Sequence, residues 1–158
     1  MSIDEETGVR DYISDIKRIA AGERFVLALR NDGLLYAWGD NTLGQLGVEI
    51  NNETTEDGTA IEDSRSLPVE VDLTDGVDFT EITDIAAGKN HTVIVLNNDT
   101  VYTWGDNTYG QLGTGENGSY IPNQVKGFNG GEYLTDIISV KAGSYHTVAL
   151  KRDGSVWA

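Results

Sequence analysis

The sequence of 158 residues contains no cysteine, so disulfide bonds, thiolate metal ligands and cysteine nucleophiles are all excluded. Basic residues are also scarce: 11 Lys and Arg stand against 26 Asp and Glu, and the formal net charge is −15. Nucleic acids and anionic membranes bind basic surfaces. We therefore expect neither nucleic acid nor membrane to be a direct partner.

Long apolar runs are missing as well. No stretch approaches the roughly 18 consecutive apolar residues of a membrane span, and the chain does not open with the basic and apolar regions of a signal peptide. We expect neither a leader nor a membrane span in this chain. Two locations stay open, the cytoplasm and the outer part of a longer cell-surface protein.

The negative charge is concentrated in one part of the chain. Residues 48–81 hold eleven acidic residues and one arginine, which gives this segment a net charge of −10. Residues 49–64 show no apolar periodicity and would bury little surface on ordering. We predict that they form a solvated acidic loop.

The sequence repeats itself. Residues 16–47 align without gaps with 82–113, and sixteen of the 32 positions are identical. A weaker third copy covers 137–158 at an offset of 55 instead of 66. The connections account for the difference of eleven residues, since 48–81 has 34 residues and 114–136 has 23. The acidic loop is therefore an insertion in a regular repeat.

Each copy predicts short antiparallel strands, because runs of β-branched and apolar residues alternate with Gly, Asn and Asp turns. The predicted strands cover 16–21, 25–29, 34–38, 68–73, 82–87, 91–95, 100–104, 122–128, 137–142, 146–150 and 155–158. Four antiparallel strands per repeat are typical of β-propeller blades. The predicted fold class is all-β, an incomplete ring of about three four-stranded blades.

This pattern divides the chain into six segments. They are an acidic N-terminal segment 1–15, a first repeat 16–47 forming a partial blade, the acidic insertion with its connecting strand 48–81, a second repeat 82–113, a connection 114–136 and a truncated third repeat 137–158.

The most regular stretch is Trp-Gly-Asp-Asn-Thr-Tyr-Gly-Gln-Leu-Gly at 104–113. Together with the Ala-Ala-Gly-x-x-His-Thr pattern upstream, it resembles the regulator of chromosome condensation (RCC1-like) repeat over about 16–158. The resemblance implies blades of a seven-bladed β-propeller. Among the family's uses are nucleotide exchange on a small GTPase, regulation of ubiquitin ligases and inhibition of β-lactamases, and none of these transfers residue by residue.

The repeated residues are interpreted as structural. We expect Trp38 and Trp104 to fill gaps between neighbouring blades, the glycines to form backbone corners, the Asn and Gln side chains to bond loop backbone, and the histidines to be partly buried. Trp157 does not align with these two tryptophans, because it stands at the place of Tyr36 and Tyr102 in the other copies. The predicted structural set is Gly22, Trp38, Gly39, Asn41, Gly44, Gln45, Gly88, His91, Trp104, Gly105, Asn107, Gly110, Gln111, Gly143 and His146.

We find no candidate catalytic, cofactor-binding or metal-binding residues. The glycine-rich loops lack the Gly-Lys-Ser/Thr end of a phosphate-binding loop. His91 and His146 have neither a nucleophile motif nor metal-ligand spacing, and Phe25 replaces them in the first copy. The loop around Gly58 lacks the calcium-ligand pattern of an EF-hand. The sequence does not predict an enzyme.

The primary functional hypothesis is a non-enzymatic protein–protein interaction scaffold with an unknown protein partner. One alternative is an extracellular module that binds glycans or another surface ligand through Tyr109, Tyr120 and Tyr145, because aromatic rings on loops suit sugar stacking. Another is nucleotide exchange or a different regulatory role, as the resemblance implies.

The sequence also predicts open edges. Three repeats do not close a ring of about seven blades, the first unit shows no evident counterpart of the strand at 68–73, and Ala158 stands one residue before the Trp-Gly that the pattern demands. We expect a piece of a longer propeller, or self-association through open blade edges.

Overall fold

The computed structural model describes residues 13–71, 73, 81–128 and 131–158, and the backbone of 2–3 and 10–11. Its strands, in chain order, are β1 (Ser2–Ile3), β2 (Arg10–Asp11), β3 (Ile16–Ala21), β4 (Phe25–Arg30), β5 (Leu35–Asp40), β6 (Ser64–Glu70), β7 (Ile82–Ala87), β8 (His91–Leu96), β9 (Val101–Gly105), β10 (Ser119–Gln124), β11 (Ile137–Ala142), β12 (Thr147–Lys151) and β13 (Val156–Trp157). Along these residues no helix is long and apolar enough to cross a membrane.

The strands form three antiparallel sheets in sequence order, which confirms the predicted fold class. Blade 1 is β3-β4-β5-β6, blade 2 is β7-β8-β9-β10 and blade 3 is β11-β12-β13; β1 and β2 pair separately. The expectation that the first repeat lacks a fourth strand is wrong, because β6 pairs with β5 and completes blade 1. The remainder of the segment 1–15 lies mostly outside the described residues.

Tight turns join the second and third strands of each blade. Their third residue has a positive φ in all three copies: 94° at Gly33, 63° at Asp99 and 88° at Gly154. Glycine adopts this conformation freely and Asp tolerates it. The same turn therefore sets the same hairpin register three times.

The fourth strands begin earlier than predicted. The sequence places their starts near Pro68 and Pro122, whereas the strands begin at Ser64 and Ser119 and contain the prolines. In the part of the chain that the structure describes, each pairs with the third strand of its blade alone, and the register shifts close to the proline. Edge strands and bulges tolerate a residue without a backbone N–H.

Apolar side chains pack between the blades in two layers. Leu27, Leu46 and Trp104 belong to the layer between blades 1 and 2, and Val93 and Val140 to the layer between blades 2 and 3. All six residues of β8 are buried, since this strand faces a blade on each side. Stacking of blades, rather than any single sheet, thus creates the core.

The up-and-down course of the strands places two kinds of loop at opposite ends of the blades. Segments 22–24, 41–63, 88–90, 106–118 and 143–146 lie at one end, called here the loop end. The tight turns and the connection 125–136 lie at the other, called the turn end. The acidic insertion therefore belongs to the loop end.

The insertion is exposed from Asn51 to Glu62, but Asp63 is only 5% exposed. Its Oδ2 accepts hydrogen bonds from Asn41 Nδ2 at 2.7 Å and from the Asn51 N–H at 2.9 Å, and Arg65 pairs with Oδ1. The prediction of a solvated loop over 49–64 is therefore wrong at its C-terminal end, where Asp63 is buried and Ser64 begins β6. A buried carboxylate is stable when several donors form hydrogen bonds to its oxygens.

Candidate functional site

Each long loop of the loop end is organised by its own Asn and Gln side chains. Asn41 Oδ1 accepts from the Leu46 N–H at 3.1 Å, and Asn107 Oδ1 accepts from the Leu112 N–H at 2.9 Å. Gln45 Oε1 and Gln111 Oε1 each accept from the backbone N–H two residues before them, both at 2.9 Å. These amides hold the loops in one conformation, because they satisfy buried backbone groups.

The loops also join the blades. Gln45 O, in blade 1, accepts hydrogen bonds from Thr92 Oγ1 at 2.8 Å and from Trp104 Nε1 at 3.1 Å, both in blade 2. Gln111 O accepts from Thr147 Oγ1 at 2.8 Å in the same way. Sequence reasoning missed the two threonines, although the repeated His-Thr pair could have indicated them.

The two repeat tryptophans have different surroundings. Trp104 is fully buried between blades 1 and 2. Trp38 is half-buried, and since Leu35 and Ala37 face blade 2, the alternation of β5 turns Trp38 to the other face of blade 1. Only Trp104 therefore fills a gap between two of the described blades.

Rings lie over the glycine corners of all three blades. A Cβ added to Gly22, Gly88 or Gly143 would come within about 2 Å of Phe25, His91 or His146 respectively. Only a glycine leaves room for these rings, which accounts for the repeated Ala-Gly pair before each of them.

His91 is fully buried and takes part in a chain of hydrogen bonds between blades 2 and 3. Its Nε2 lies 3.1 Å from Thr147 Oγ1, which donates its own proton to Gln111 O. The ring N–H must therefore be on Nε2. Burial lowers the pKa of His91 to about 4, while nearby Asp106 opposes this shift. His91 is thus neutral at physiological pH, and His146, which is exposed, makes no equivalent contact in blade 3.

Two of the three tyrosines singled out by the sequence come together at the loop end. The rings of Tyr109 and Tyr145 meet edge to face, with centroids 5.0 Å apart and planes at 61°. Lys89 Nζ lies 5.5 Å from the Tyr145 ring centroid and 3.2 Å from its hydroxyl. We call these three residues the tyrosine cluster. Tyr120 lies apart, half-buried against the corner at Gly44.

The tyrosine cluster is both exposed and held in place. Tyr109 is 69% exposed and Tyr145 is 45% exposed. Lys89 also pairs with Glu23 Oε2 at 3.4 Å, and its contacts with Tyr145 and Glu23 raise its pKa, so it stays charged. The cluster therefore presents aromatic surface and one fixed positive charge to solvent.

The loop end also carries negative charge. Five exposed carboxylates lie in the insertion of blade 1, at the same end of the blades: Glu49, Glu53, Glu56, Asp57 and Glu62. Hydrogen bonds from the Thr55 and Thr59 hydroxyls and the Thr59 N–H lower the pKa of Asp57 to about 2, so its charge persists in mild acid. Among the described residues no three His, Asp or Glu side chains are grouped so as to hold a metal ion.

Comparison with known proteins agrees with this architecture. The model of the regulator of chromosome condensation (RCC1) repeat matches residues 32–95 and 98–150, and a second model of that repeat matches 16–45 and 82–111. Protein pim1 of Schizosaccharomyces pombe is 32% identical over 157 residues, covering 92% of this chain and 27% of that protein. The probable E3 ubiquitin-protein ligase HERC4 of Mus musculus is 30% identical, covering 92% of this chain and 12% of the ligase.

Solved structures give the same result. Prp20p of Saccharomyces cerevisiae superposes with a TM-score of 0.65 at 27% identity, covering 90% of this chain and 32% of the yeast protein. Human WBSCR16 shares the fold with a TM-score of 0.70 at 21% identity, covering 94% of this chain and 34% of that one. The chain spans only about a third or less of the length of each of these relatives. With family models matching most of its length and three stacked antiparallel blades, this chain belongs to the RCC1 repeat family.

Proposed function

We propose that this chain is a non-enzymatic platform for protein binding, and that a partner with a basic surface docks on its loop end. One observation carries the proposal: an exposed but immobilised pair of tyrosines lies at the same end of the blades as a loop with five exposed carboxylates.

Tyrosines of this kind suit a protein interface. They offer large contact area with few rotatable bonds, and Tyr is enriched among the residues that dominate binding energy. The edge-to-face contact between Tyr109 and Tyr145 and the hydrogen bond to Lys89 already restrict the rings. Binding would therefore cost little additional side-chain entropy.

The acidic insertion favours a basic partner. Opposite charges speed association and select against acidic proteins. Prp20p, to which this chain is similar, is described as binding Gsp1p and histones, and histones are basic proteins. HERC4 is named a probable E3 ubiquitin-protein ligase, but this chain covers only 12% of that protein, so ligase activity is not part of the proposal.

The alternatives have weaker support. Glycan binding by all three tyrosines is less well supported, because Tyr120 lies apart from the other two. The edge-to-face contact between Tyr109 and Tyr145 also covers one ring face that could otherwise stack on a sugar. Nucleotide exchange has the support of family membership alone.

The test measures binding of the full chain to purified core histones as a basic protein probe, at two salt concentrations. We expect saturable binding that weakens in higher salt, because exposed charges are screened. Replacing Tyr109 and Tyr145 together by Ala should raise Kd by at least about tenfold. The matched control is Tyr133→Ala, which removes a 56% exposed tyrosine at the turn end and should leave Kd unchanged.

Charge is tested separately. The double variant Glu53→Lys, Glu56→Lys should reduce binding and its salt dependence, whereas Glu132→Lys with Asp153→Lys, which makes the same charge change at the turn end, should have little effect. Absence of saturable binding at low salt would contradict the proposal of a basic partner. Binding to a glycan array that depends on Tyr109 and Tyr145 would favour the glycan alternative instead.

A further inference from the structure

The composition of the chain leaves few side chains on which an oxidant can act. There is no cysteine and a single methionine, so the sulfur groups that react first with oxidants are almost missing. Oxidation therefore falls on aromatic side chains. All three tryptophans are fully or half-buried, whereas Tyr109 is 69% exposed and Tyr145 is 45% exposed. The two tyrosines at the loop end are thus accessible targets.

These two rings are already in contact across a blade boundary. Tyr109 belongs to the loop after β9 in blade 2, and Tyr145 to the loop after β11 in blade 3. Their centroids are 5.0 Å apart, with the edge of one ring against the other ring. Lys89 donates a hydrogen bond to the Tyr145 hydroxyl at 3.2 Å and so restricts that ring. Groups held in contact react much faster than groups that must first meet by diffusion.

We propose that Tyr109 and Tyr145 form an oxidative cross-linking site, where a one-electron oxidant joins the two rings into a dityrosine bridge between blades 2 and 3. The proposal goes beyond the proposed function, because it concerns the covalent chemistry of the pair and holds whether or not a protein binds there.

The reaction balances with hydrogen peroxide and a haem peroxidase as the oxidant. Each phenol gives up one electron and its hydroxyl proton and becomes a neutral phenoxyl radical. The two radicals form one carbon–carbon bond between their Cε atoms, and the hydrogen on each bonded Cε moves to the oxygen of its own ring. Both phenols are thereby restored, and the chain has lost two hydrogen atoms. The peroxide takes up the two electrons and two protons and becomes two water molecules.

A second pair of tyrosines provides an internal comparison at the turn end. Burial, and to a smaller extent the nearby Tyr133, raises the pKa of Tyr102, so these two side chains also lie near each other. Tyr133 is 56% exposed, but Tyr102 is only 8% exposed. Because the oxidant reaches one ring of this pair and not the other, we expect it to form little bridge. Exposure of both rings distinguishes Tyr109 and Tyr145.

The first experiment treats the full chain with a haem peroxidase and hydrogen peroxide. We expect dityrosine fluorescence in the monomer band of a denaturing gel, and a monomer mass lower by two hydrogen atoms. Trypsin, which cleaves after Lys and Arg, should then release peptides 90–126 and 142–151 joined together, while peptide 127–141 stays separate. Fragmentation of the joined peptides should place the bond at Tyr109.

Conservative variants test the two hydroxyl groups. Tyr109→Phe and Tyr145→Phe each keep the ring and its packing but remove the phenol. Each should lower the yield of bridged monomer by at least about tenfold, because no second phenol is held in contact. Tyr133→Phe makes the same chemical change at the turn end and is the control that should leave the yield unchanged.

The bridge should also fasten blade 3 to blade 2. A covalent link restricts the unfolded chain and opposes detachment of one blade from the other. The bridged monomer should therefore melt about 5 °C or more above the untreated chain. Peroxidase-treated Tyr145→Phe is the control for other oxidative changes and should show no such rise. A bridged monomer that melts with the untreated chain would contradict a bridge between folded blades.

The proposal is overturned if the treated monomer contains no dityrosine, or if the bond is found only between separate chains. It is equally overturned if peptide 90–126 is joined to 127–141 as often as to 142–151, because the bridge would then not be specific to the loop end. A yield in Tyr145→Phe equal to that of the parent would have the same meaning.

Discussion

At the scale of single residues, position in the stack of blades decides what a repeated side chain does. Trp38 and Trp104 have the same sequence surroundings, yet Trp104 is enclosed by two blades and donates to Gln45 O, whereas Trp38 lies half-exposed on the far face of blade 1. Phe25, His91 and His146 likewise share one position and range from buried to exposed.

The tryptophans give the first prediction. Trp104→Ala should lower the free energy of unfolding by about 3–5 kcal/mol, because it leaves a large cavity and removes a buried hydrogen bond. Trp38→Ala should cost clearly less. Thermal and denaturant melts of both variants measure the difference, and equal losses would contradict the burial described for Trp104.

His91 makes stability depend on pH. Burial lowers its pKa from 6.5 to about 4, so the folded state binds the proton more weakly than the unfolded state does. Its contribution to stability is therefore complete above about pH 6.5 and is lost as the pH falls toward about 4, by up to about 1.4 kcal/mol per pH unit.

The variant His91→Phe, with the residue that the first repeat has at this position, should flatten this part of the pH profile relative to the parent. His146→Phe changes an exposed histidine at the same repeat position and is the control that should retain the parental slope. Denaturant unfolding at several pH values between 7 and 4 measures how the free energy of unfolding of each variant changes with pH. An unchanged slope in His91→Phe would show that other groups cause the acid sensitivity.

At the scale of strands, sequence periodicity located the first strand of every blade to the residue: 16–21, 82–87 and 137–142. It placed the starts of the fourth strands too late, because Pro68 and Pro122 were interpreted as the first residues of those strands. In the structure, bulges at the sheet edge accommodate both prolines inside the strands. It also gave no sign that Asp63 is buried, since the partner that stabilises it, Asn41, is 22 residues away.

The candidate site was predictable only in part. Loop tyrosines can be read from the sequence, but the pairing of Tyr109 with Tyr145 depends on how blades 2 and 3 stack. The contact between Thr147 and Gln111 O spans 36 residues and depends on the same stacking. Local sequence patterns predict strands and turns, whereas contacts between repeats can be identified only from the way the blades pack in three dimensions.

The acidic insertion gives a prediction at this scale. Ile61 donates its N–H to Glu53 O at 2.9 Å, so residues 54–60 form the tip of an exposed hairpin that an Asn-Gly turn can replace. This replacement should change Tm by no more than about 2 °C, because the entropy of loop closure depends only weakly on loop length.

Asp63→Ala is the contrasting change. It removes the acceptor of the Asn51 N–H and the nearer of the two acceptors of Asn41 Nδ2, which keeps its hydrogen bond to Val48 O, and it should cost about 1–3 kcal/mol. A shortened loop that melts far below the parent would show that the tip itself packs or binds an ion.

At the scale of the whole molecule, the outer faces of the stack carry apolar side chains. Ile19 in blade 1 is 75% exposed, and in blade 3 Val156 is 65% and Leu150 37% exposed. We propose that copies of this chain associate through these faces, because exposed apolar surface favours a partner.

Sedimentation tests the association. The parent should contain a species of about twice 17.1 kDa at micromolar concentration, and Leu150→Glu combined with Val156→Glu should shift it to the monomer. Phe128→Glu, which changes a 79% exposed residue in the connection at the turn end, is the control and should leave the mass unchanged. A single 17.1 kDa species in the parent would contradict the proposal.

The burial of β8 on both faces has a consequence for the order in which the molecule opens. In a linear stack each blade is coupled only to its neighbours, so either blade 1 or blade 3 can detach while blade 2 stays packed against the other. Backbone amides of β8 should then exchange their hydrogens with deuterated solvent only when the whole stack opens, and those of β12 should exchange earlier. Blade 2 is thus the most protected part of the structure, and both outer blades depend on it for their packing.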